Sequence, residues 1–380
     1  MSLKIDIIES SVAIDQNLVN EWQKLVESSA SNELTQTPRW LLTWWSVFGT
    51  HQGRQLRLIT FRRKSELVGV APFVLRRHYY PMGIPVWRLE LLGSGEDEIE
   101  EICSDYIGVT ARRGEEQAVA KALAEALENP LLGPWEEILL PRLNGQSVMP
   151  PLLSVALKPL GTLRYDVSGG APYSPLPNTW DEYLGALSSS TRYMIRRSLR
   201  AFEKWTDGDA KLVRLESKSQ IDKAMDILSN LHGERWAAEK QDNIFDAPRF
   251  MEFHKAIIPE LMESNALDFH WLVADGKPLI AVYNMTYGNR VHYYQSGRTT
   301  AVPKKIRLGI VAHAMAIQRA IEAGHKEYDF LDGVAQFKMQ LATDIRPLRM
   351  LQVYRPSMVD KLRRLGIQGR QLLTKLQSAS

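Results

Sequence analysis

The sequence FHWLVADGKPLIAVYNMTYGNRVHYYQSG, residues 269–297, decides the fold of the second half of this chain. It contains three stretches rich in β-branched and aromatic residues, which are Phe269–Asp275, Pro278–Tyr287 and Arg290–Gly297. The dipeptides Asp275-Gly276 and Gly288-Asn289 separate these stretches, and such pairs favour the two-residue turns of β-hairpins. The sequence therefore predicts a three-stranded antiparallel meander.

A helix and two more strands are predicted after the meander. Arg307–Ala323 has helical spacing and is followed by Gly324, the residue type preferred just beyond a helix. A strand at Glu327–Leu331 leads into Asp332-Gly333, and the remaining predicted elements are a short helix, Gln336–Ala342, and a strand, Leu348–Tyr354. This alternation predicts an α/β protein whose mixed central sheets are flanked by helices.

The first half of the chain alternates in the same way. Its predicted strands are Lys4–Glu9, Gln55–Arg62, Leu67–Arg76, Val86–Leu92, Tyr106–Val109 and Glu137–Leu140, and its predicted helices are Asn17–Ser28, one opened by Thr37-Pro38, and Glu115–Glu128. The segment Gly169–Pro177 is rich in Gly and Pro and is the predicted domain boundary. We therefore expect an N-terminal domain at 1–168 and a C-terminal domain at 169–356.

The C-terminal segment 357–380 is predicted to be a basic amphipathic helix. Leucines alternate with Lys and Arg at helical spacing between Met358 and Gln377. The expected role is packing on its own domain, and the alternatives are a peripheral membrane contact or a partner helix.

Composition limits the classes of function. The 380 residues carry 47 Lys and Arg against 44 Asp and Glu, so the net charge is +3. This permits an anionic ligand and gives no reason to expect DNA as a partner. Cys103 is the single cysteine, which excludes an internal disulfide and a cysteine zinc site, and no histidine spacing predicts a metal. Met1–Ser10 does not resemble a signal peptide and no apolar run could span a bilayer, so a cytoplasmic protein is expected.

The order of several motifs resembles the CelD-like group of GNAT acetyltransferases, which carry a BioF2-like acetyltransferase domain. The motifs are Thr37–Phe48, the basic helix Arg192–Arg200, Tyr293–Gly297, Arg307-Leu308-Gly309, Tyr328–Gly333 and Phe337-Lys338. That group is related to the Fem aminoacyltransferases, which also pair two GNAT domains. The resemblance implies tandem GNAT domains, acyl-CoA as co-substrate, and a setting in polysaccharide or envelope metabolism.

The start of the helix after the meander is the predicted donor site. Free N–H groups and the positive dipole end at a helix N-terminus favour phosphate. The cofactor-binding candidates are Lys304, Lys305, Arg307, Leu308 and Gly309. A standard pyrophosphate loop, Q/R-x-x-G-x-G/A, has more glycine than this segment, so the donor could be acyl-CoA, an acyl carrier protein or an aminoacyl-tRNA. The alternative is a solvated basic loop.

A second basic feature is the predicted helix Thr191–Trp205. Arg192, Arg196, Arg200 and Lys204 recur every four residues and therefore share one face. We assign the three arginines, together with Arg298, to the binding of a phosphate-bearing substrate; the alternative is a solvated face.

Four residues are the catalytic candidates. Asp332 ends a strand, where ligands of open α/β sheets bind, and Asp105 is a second possible base. Tyr294 could protonate the leaving thiolate, and the Fem resemblance implies that Lys338 steadies developing negative charge. The alternatives are a turn residue for either aspartate, a packing aromatic for Tyr294 and a surface position for Lys338.

The sequence thus predicts transfer of an acyl group from a thioester to an amine or hydroxyl of a polar acceptor. The alternatives are a non-catalytic GNAT-fold scaffold and an aminoacyl-tRNA-dependent ligase related to the Fem proteins. Neither the acceptor, nor the acyl chain, nor the oligomeric state follows from the sequence.

Overall fold

The chain forms two compact units in the computed structural model, which describes residues 2–80, 83–238, 243–303, 305–357 and 360. Unit 1 comprises the described parts of Met1–Gly95, Tyr106–Ser168 and Arg349–Ser380. Unit 2 comprises the described parts of Glu96–Asp105 and Gly169–Leu348. The segment Glu96–Asp105 therefore belongs to unit 2, although unit 1 precedes and follows it in the sequence.

Unit 1 is a mixed sheet with helices. Its strands are β1 (Lys4–Ile8), β2 (Gln55–Arg63), β3 (Glu66–Tyr80), β4 (Ile84–Leu91), β5 (Thr110–Ala111), β6 (Glu137–Asn144) and the first part of β7 (Thr162–Pro175). Its helices are α1 (Gln16–Ser28), α2 (Pro38–Phe48), α3 (Glu116–Ala126) and α4 (Met149–Leu157). The order β1-β2-β3-β4 is antiparallel, β6 runs parallel to β4, and β5 pairs with β3.

Local chemistry sets the helix starts of unit 1. The Asp15 carboxylate accepts a hydrogen bond from the Leu18 N–H (2.8 Å) and so caps α1. Thr37 caps α2 in the same way, and Pro38 occupies the first helical position as predicted. Trp40 and Trp44 have no exposed surface and form part of the core.

One predicted strand of unit 1 was wrong, and one helix was missed. Tyr106–Val109 is not a strand, because Tyr106 has a positive φ of 66° and strand pairing begins only at Thr110. Helix α4 was not predicted, because its first turn contains Pro150 and Pro151. Proline removes a backbone donor that the first turn of a helix does not need, so both are tolerated there.

Unit 2 repeats the architecture. Its helices are α5 (Trp180–Ala186), α6 (Ser189–Trp205), α7 (Ile221–Ala238), α8 (Pro248–Glu263), α9 (Leu308–Glu322) and α10 (Gln336–Leu341). Its strands are the second part of β7 together with β8 (Lys211–Arg214), β9 (Leu267–Ala274), β10 (Lys277–Tyr287), β11 (Arg290–Arg298), β12 (Glu327–Asp329) and β13 (Asp344–Tyr354), which continues into unit 1. The sheet order is β13-β7-β12-β11-β10-β9-β8.

The predicted meander is confirmed as β9, β10 and β11. Both turns use left-handed backbone: φ is 49° at Asp275 and 71° at Gly276, then 55° at Gly288 and 62° at Asn289. Gly, Asn and Asp reach this region at low cost, which is why these dipeptides locate the turns.

The Gly- and Pro-rich segment Gly169–Pro177 is not a linker loop. Its residues up to Pro175 are the second part of β7, and Tyr173, Ser174 and Pro175 pair antiparallel with β12. Proline at Pro175 ends the strand, a position at which the missing N–H is tolerated.

Strands β11 and β12 separate where the candidate site begins. They pair in parallel only over Arg290–His292 and Glu327–Asp329, whereas β11 continues to Arg298. The later residues of β11 therefore lie beyond the end of its pairing with β12.

The order of elements is the same in the two units. Apart from the short strand β5 in unit 1 and the helices α5 and α6 at the start of unit 2, unit 1 follows β1-α1-α2-β2-β3-β4-α3-β6-α4-β7, and unit 2 follows β8-α7-α8-β9-β10-β11-α9-β12-α10-β13. The repeat concerns the elements and not the residue types.

Within the described ranges, no helix is both long enough and apolar enough to cross a membrane. The predicted basic helix at 358–377 lies outside the described residues except for Asp360, so the prediction for 357–380 stays a prediction.

Candidate functional site

Helix α9 begins without a side-chain capping hydrogen bond and without an acidic residue in its first turn. Arg307 is the N-cap, and its side chain makes no capping hydrogen bond to the helix. Gly309, at the second helical position, has no atom within 4 Å of the place where a Cβ would lie. The N-terminus of α9 therefore offers N–H groups, a positive dipole end and open space to an anion.

A cavity of about 400 Å³ lies beside this helix start, within unit 2. Its lining residues come from α6, the α9 approach and α10, and they are Ser190, Thr191, Tyr193, Met194, Arg197, Ser198, Lys305, Arg307 and Gln340. Three of them are cations and none is a carboxylate. Hydroxyl groups supply further hydrogen bonds, so the chemistry of this cavity suits a phosphate-bearing ligand.

The predicted donor residues divide as follows. Lys305 and Arg307 line the cavity, and Leu308 is buried (2% exposed) and anchors the helix start in the core. Lys304 lies outside the described residues. Arg197 was not predicted as a ligand residue, although its spacing of four from Tyr193 places both on one face of α6.

The arginines predicted to bind substrate do not line the cavity. The Arg192 Nη1 donates to the Gly185 carbonyl (3.1 Å), and Arg196 lies 3.9 Å from the Asp181 carboxylate. Arg200 is exposed on the same face. Arg298 ends β11 opposite Ile280, half-buried. Their assignment to substrate stays a prediction.

A β-bulge distorts β11 next to its separation from β12. Tyr283 pairs with Gln295 and Asn284 pairs with Tyr293, so Tyr294 is an extra residue on β11. The Ser296 N–H donates to the side-chain Oε1 of Gln295 (3.1 Å). The bulge therefore changes the direction of Tyr294, and next to it the Ser296 N–H bonds to a side chain.

Tyr294 ends a chain of buried hydrogen bonds. Its hydroxyl donates to the Ile102 carbonyl (2.8 Å) and accepts from Nε2 of His254 (2.9 Å). Nδ1 of His254 accepts from the Tyr283 hydroxyl (3.4 Å). Burial lowers the pKa of His254 to about 3, so the imidazole is neutral. Burial, with Cys103 and Tyr283 nearby, raises the pKa of Tyr294 well above 10, so its proton is retained.

Three of the four predicted catalytic residues meet at the end of β12. The Asp105 carboxylate accepts a hydrogen bond from the Asp332 N–H (2.8 Å). The Lys338 Nζ donates to the Asp332 carbonyl (2.5 Å), and the Gly333 N–H donates to the Asp332 Oδ1 (2.7 Å). Asp105 is 2% exposed. Two carboxylates, of Asp105 and Asp332, and the amine of Lys338 therefore lie close together.

Burial lowers the pKa of Lys338, whereas the carboxylates of Asp105 and Asp332 oppose that change. Its Nζ also lies 5.7 Å from the centre of the Tyr293 ring. The ammonium group of Lys338 therefore lies near two carboxylates and near the face of the Tyr293 ring. The alternative interpretation, an exposed lysine at the surface, does not describe it.

Gly169 contacts the Asp332 carboxylate directly. A Cβ on Gly169 would lie 2.6 Å from the Asp332 Oδ1. Sequence reasoning missed this role, because it interpreted Gly169 only as part of a boundary segment.

The segment Glu96–Asp105 contacts the rest of unit 2 at several points. Glu100 forms an ion pair with Arg249 of α8, and the Ile102 carbonyl accepts from Tyr294. Cys103 is half-buried and has a positive φ of 52°, so the segment turns sharply just before Asp105. These contacts place Asp105 at the site.

The corresponding helix start of unit 1 carries carboxylates. Helix α3 follows Glu115 and carries Glu116 in its first turn. The Glu115 carboxylate is bound by Arg63 (2.6 Å) and Arg112 (3.2 Å). Two carboxylates at this position disfavour phosphate, so among the described residues the start of α3 differs from the start of α9, which carries no acidic residue.

A second cavity of unit 2, of about 460 Å³, has mixed charge. Arg214 and Arg319 line it together with Asp268 and Glu322. Asp268 already binds Arg319 (2.5 Å) and lies 3.6 Å from Arg214. Its cations are therefore compensated, in contrast to those beside α9.

Comparison with protein families gives one match. The family model for an acetyltransferase (GNAT) domain matches residues 189–339, which run from the start of α6 into α10. No curated protein matches the chain in sequence.

Solved structures share the fold at low identity. L-PGS from Bacillus licheniformis is 13% identical, with a TM-score of 0.53, over 91% of this chain and 94% of that one. A conserved protein of unknown function from Bacteroides thetaiotaomicron is 11% identical, with a TM-score of 0.51, over 93% of this chain and 100% of that one. A tandem GNAT protein of the clavulanic acid pathway is 12% identical over 94% of this chain and 100% of that one, with a TM-score of 0.49. The predicted fold class, α/β with mixed sheets flanked by helices, is confirmed, and the GNAT domain match lies within unit 2.

Proposed function

We propose that this protein is an acyltransferase that moves an acyl group from a phosphate-bearing thioester to an amine or hydroxyl of a polar acceptor. The observation that carries the proposal is the cavity at the start of α9, in which Arg197, Lys305 and Arg307 meet no carboxylate. The match of residues 189–339 to an acetyltransferase (GNAT) domain supports a transferase. Acyl-CoA is the expected co-substrate.

The donor end of the site binds charge. The three cations and the uncapped N–H groups of α9 would hold the donor phosphates, and Gly309 lets the ligand approach the helix backbone. The thioester arm would then reach the bulge of β11, where a backbone N–H can polarise the carbonyl.

The acceptor end carries the proton chemistry. The nucleophile attacks the thioester carbonyl carbon, a C–N or C–O bond forms and the C–S bond breaks. Asp332 accepts the proton of the nucleophile, and Asp105 fixes its backbone through the N–H hydrogen bond. Lys338 stabilises the negative charge that develops. Tyr294, which is protonated before the reaction, donates its proton to the leaving thiolate, and solvent carries the proton taken up by Asp332 back to Tyr294.

The resemblance to CelD-like proteins supports a setting in polysaccharide or envelope metabolism. The relation of that group to the Fem proteins keeps aminoacyl-tRNA as the alternative donor. A non-catalytic scaffold is the other alternative, and it predicts donor binding without turnover.

Donor binding is the direct test. Purified protein is screened by thermal shift and calorimetry against CoA, acetyl-CoA, longer acyl-CoAs and acyl carrier protein. A ligand at a hundred times its Kd stabilises the folded state by about 2.7 kcal/mol. The variant Arg307→Glu should lose this stabilisation, because it places a carboxylate where phosphate binds. Lys277→Glu, an exposed position at the start of β10, is the matched control.

The proposal fails if no thioester shifts the wild-type protein. It also fails in its site assignment if folded Arg307→Glu binds the donor as tightly as the control.

A further inference from the structure

Helix α6 carries a row of cations that the donor cavity does not use. We call Arg192, Arg196, Arg200 and Lys204 the α6 basic stripe. Four-residue spacing places them on one side of the helix, over roughly 18 Å at 1.5 Å per residue. Arg196, Arg200 and Lys204 are exposed, and Arg192 is half-buried.

The contacts of unit 2 do not account for the stripe. Like charges four residues apart on a helix destabilise it by a few tenths of a kcal/mol per pair. The only ion pair of the stripe within the described residues joins Arg196 to Asp181 at 3.9 Å, and both side chains are largely exposed. Such a pair contributes little. The side chains of Arg200 and Lys204 make no hydrogen bond or ion pair in the described part of the chain.

The stripe adjoins the donor cavity on the same helix. Arg192 directly precedes Tyr193, and Arg196 directly precedes Arg197, and the second member of each pair lines the cavity. Successive residues of a helix are about 100° apart, so stripe and cavity occupy neighbouring faces of α6. A macromolecule that delivers the acyl donor to the cavity would meet the stripe.

We propose that the α6 basic stripe is the docking surface for an acidic acyl carrier protein that presents its phosphopantetheine-linked acyl group to the cavity. This inference rests on the proposed function and names the source of the donor. A row of four cations at regular spacing complements an acidic helix with the same spacing, and such complementarity increases the association rate.

An acidic protein fits this surface better than an RNA does. Glu203 is exposed within the same stretch of α6, and the Asp181 side chain is 89% exposed beside Arg196. Both carboxylates would face a continuous phosphate backbone, whereas a folded protein can place its acidic groups only at the stripe. The net charge of the whole chain, +3, also gives little of the sequence-independent attraction on which RNA binding depends.

The test compares one double variant with a matched control. Arg196→Glu with Arg200→Glu reverses the centre of the stripe and leaves every cavity residue in place. Lys211→Glu with Lys277→Glu makes the same charge change at exposed positions of β8 and β10. Calorimetry measures binding of acyl carrier protein, of acyl-CoA and of aminoacyl-tRNA to each protein at low and at moderate salt.

The stripe variant should bind acyl carrier protein at least about tenfold more weakly than the control, more so at low salt, and this loss should exceed any loss of acyl-CoA affinity, because every cavity residue is kept. Equal carrier-protein affinity in the two variants would overturn the inference. So would wild-type protein that binds acyl-CoA but not the carrier protein, or aminoacyl-tRNA binding that the stripe variant alone loses. Absence of binding to any thioester would instead reject the proposed function itself.

Discussion

The backbone N–H of Asp332 donates a 2.8 Å hydrogen bond to the carboxylate of Asp105, although 227 positions separate the two residues in sequence. Asp105 lies at the end of the segment Glu96–Asp105, which belongs to unit 2. The hydrogen bond holds the turn after β12 through a residue, Asp105, that is not part of that turn. The orientation of the Asp332 carboxylate therefore depends on a residue from the first third of the chain.

Replacing Asp332 with Asn should lower turnover by about 10²–10⁴-fold, because the amide cannot accept the proton of the nucleophile. Donor affinity should stay within about twofold, since the cations of the cavity are untouched. Steady-state kinetics and calorimetry on the same preparation measure both. Asp344→Asn, at an exposed position of β13, is the control. Equal turnover in the two variants would remove Asp332 from the mechanism.

Replacing Gly169 with Ala should lower turnover by roughly 10- to 100-fold, because the new Cβ would lie 2.6 Å from the Asp332 Oδ1 and must displace it. Gly170→Ala is the control, since its Cβ would meet the Ile345 Cγ2 at 3.1 Å and the Val334 Cγ1 at 3.7 Å, and not the Asp332 carboxylate. Unfolding by urea shows whether either protein has lost stability. Wild-type turnover in folded Gly169→Ala would show that the carboxylate position is unimportant.

The activity should fall at alkaline pH as Lys338 loses its proton. Burial lowers its pKa from 10.5, so the ammonium is lost, and with it the stabilisation of negative charge, at a pH below that value. Lys338→Arg should keep activity to higher pH, because arginine stays charged, and Lys338→Met should be weak at every pH. Turnover measured from about pH 6 to about pH 10 tests this. An alkaline limb unchanged in Lys338→Arg would contradict it.

Replacing Gly297 with Ala should destabilise unit 2 by about 1–3 kcal/mol or more. Helix α7 crosses β11 so closely that the added Cβ would lie 2.4 Å from the His232 N and 2.7 Å from the Leu228 O. These are backbone atoms of a packed helix, which cannot move aside as the end of a flexible side chain can. Gly185→Ala in α5 meets no atom within 4 Å and should stabilise by up to about 1 kcal/mol. Urea midpoints of the two variants should move in opposite directions.

Stability should decline between about pH 6.5 and about pH 3 because His254 is buried as the neutral ring. Burial lowers its pKa to about 3, whereas the unfolded chain takes up the proton near 6.5. Its contribution is therefore complete above the unfolded pKa and is lost at about 1.4 kcal/mol per pH unit as pH falls toward the folded pKa.

His254→Gln, which can still hydrogen bond, should flatten this decline relative to the wild-type protein. Denaturation at several pH values gives the slopes. Identical slopes in the two proteins would refute the assignment to His254.

Much of the fold follows from the sequence, because local chemistry specifies it. Hairpin turns need left-handed backbone, which Asp275-Gly276 and Gly288-Asn289 supply. Thr37 and Pro38 fix the start of α2. The same local reasoning failed at Tyr106, where a positive φ interrupts an apparent strand, and at α4, whose prolines imitate a loop.

The sequence by itself determined the fold class, the meander and the basic start of α9, because backbone preferences and hydrophobic periodicity act over a few residues. Only the tertiary structure decided which charges meet. It brought Asp105 close to Asp332 and Lys338. It also brought Arg197 into the same cavity as Lys305 and Arg307, and Gly169 into contact with the Asp332 carboxylate. Contacts between distant residues depend on packing of the whole unit, which no short stretch of sequence encodes.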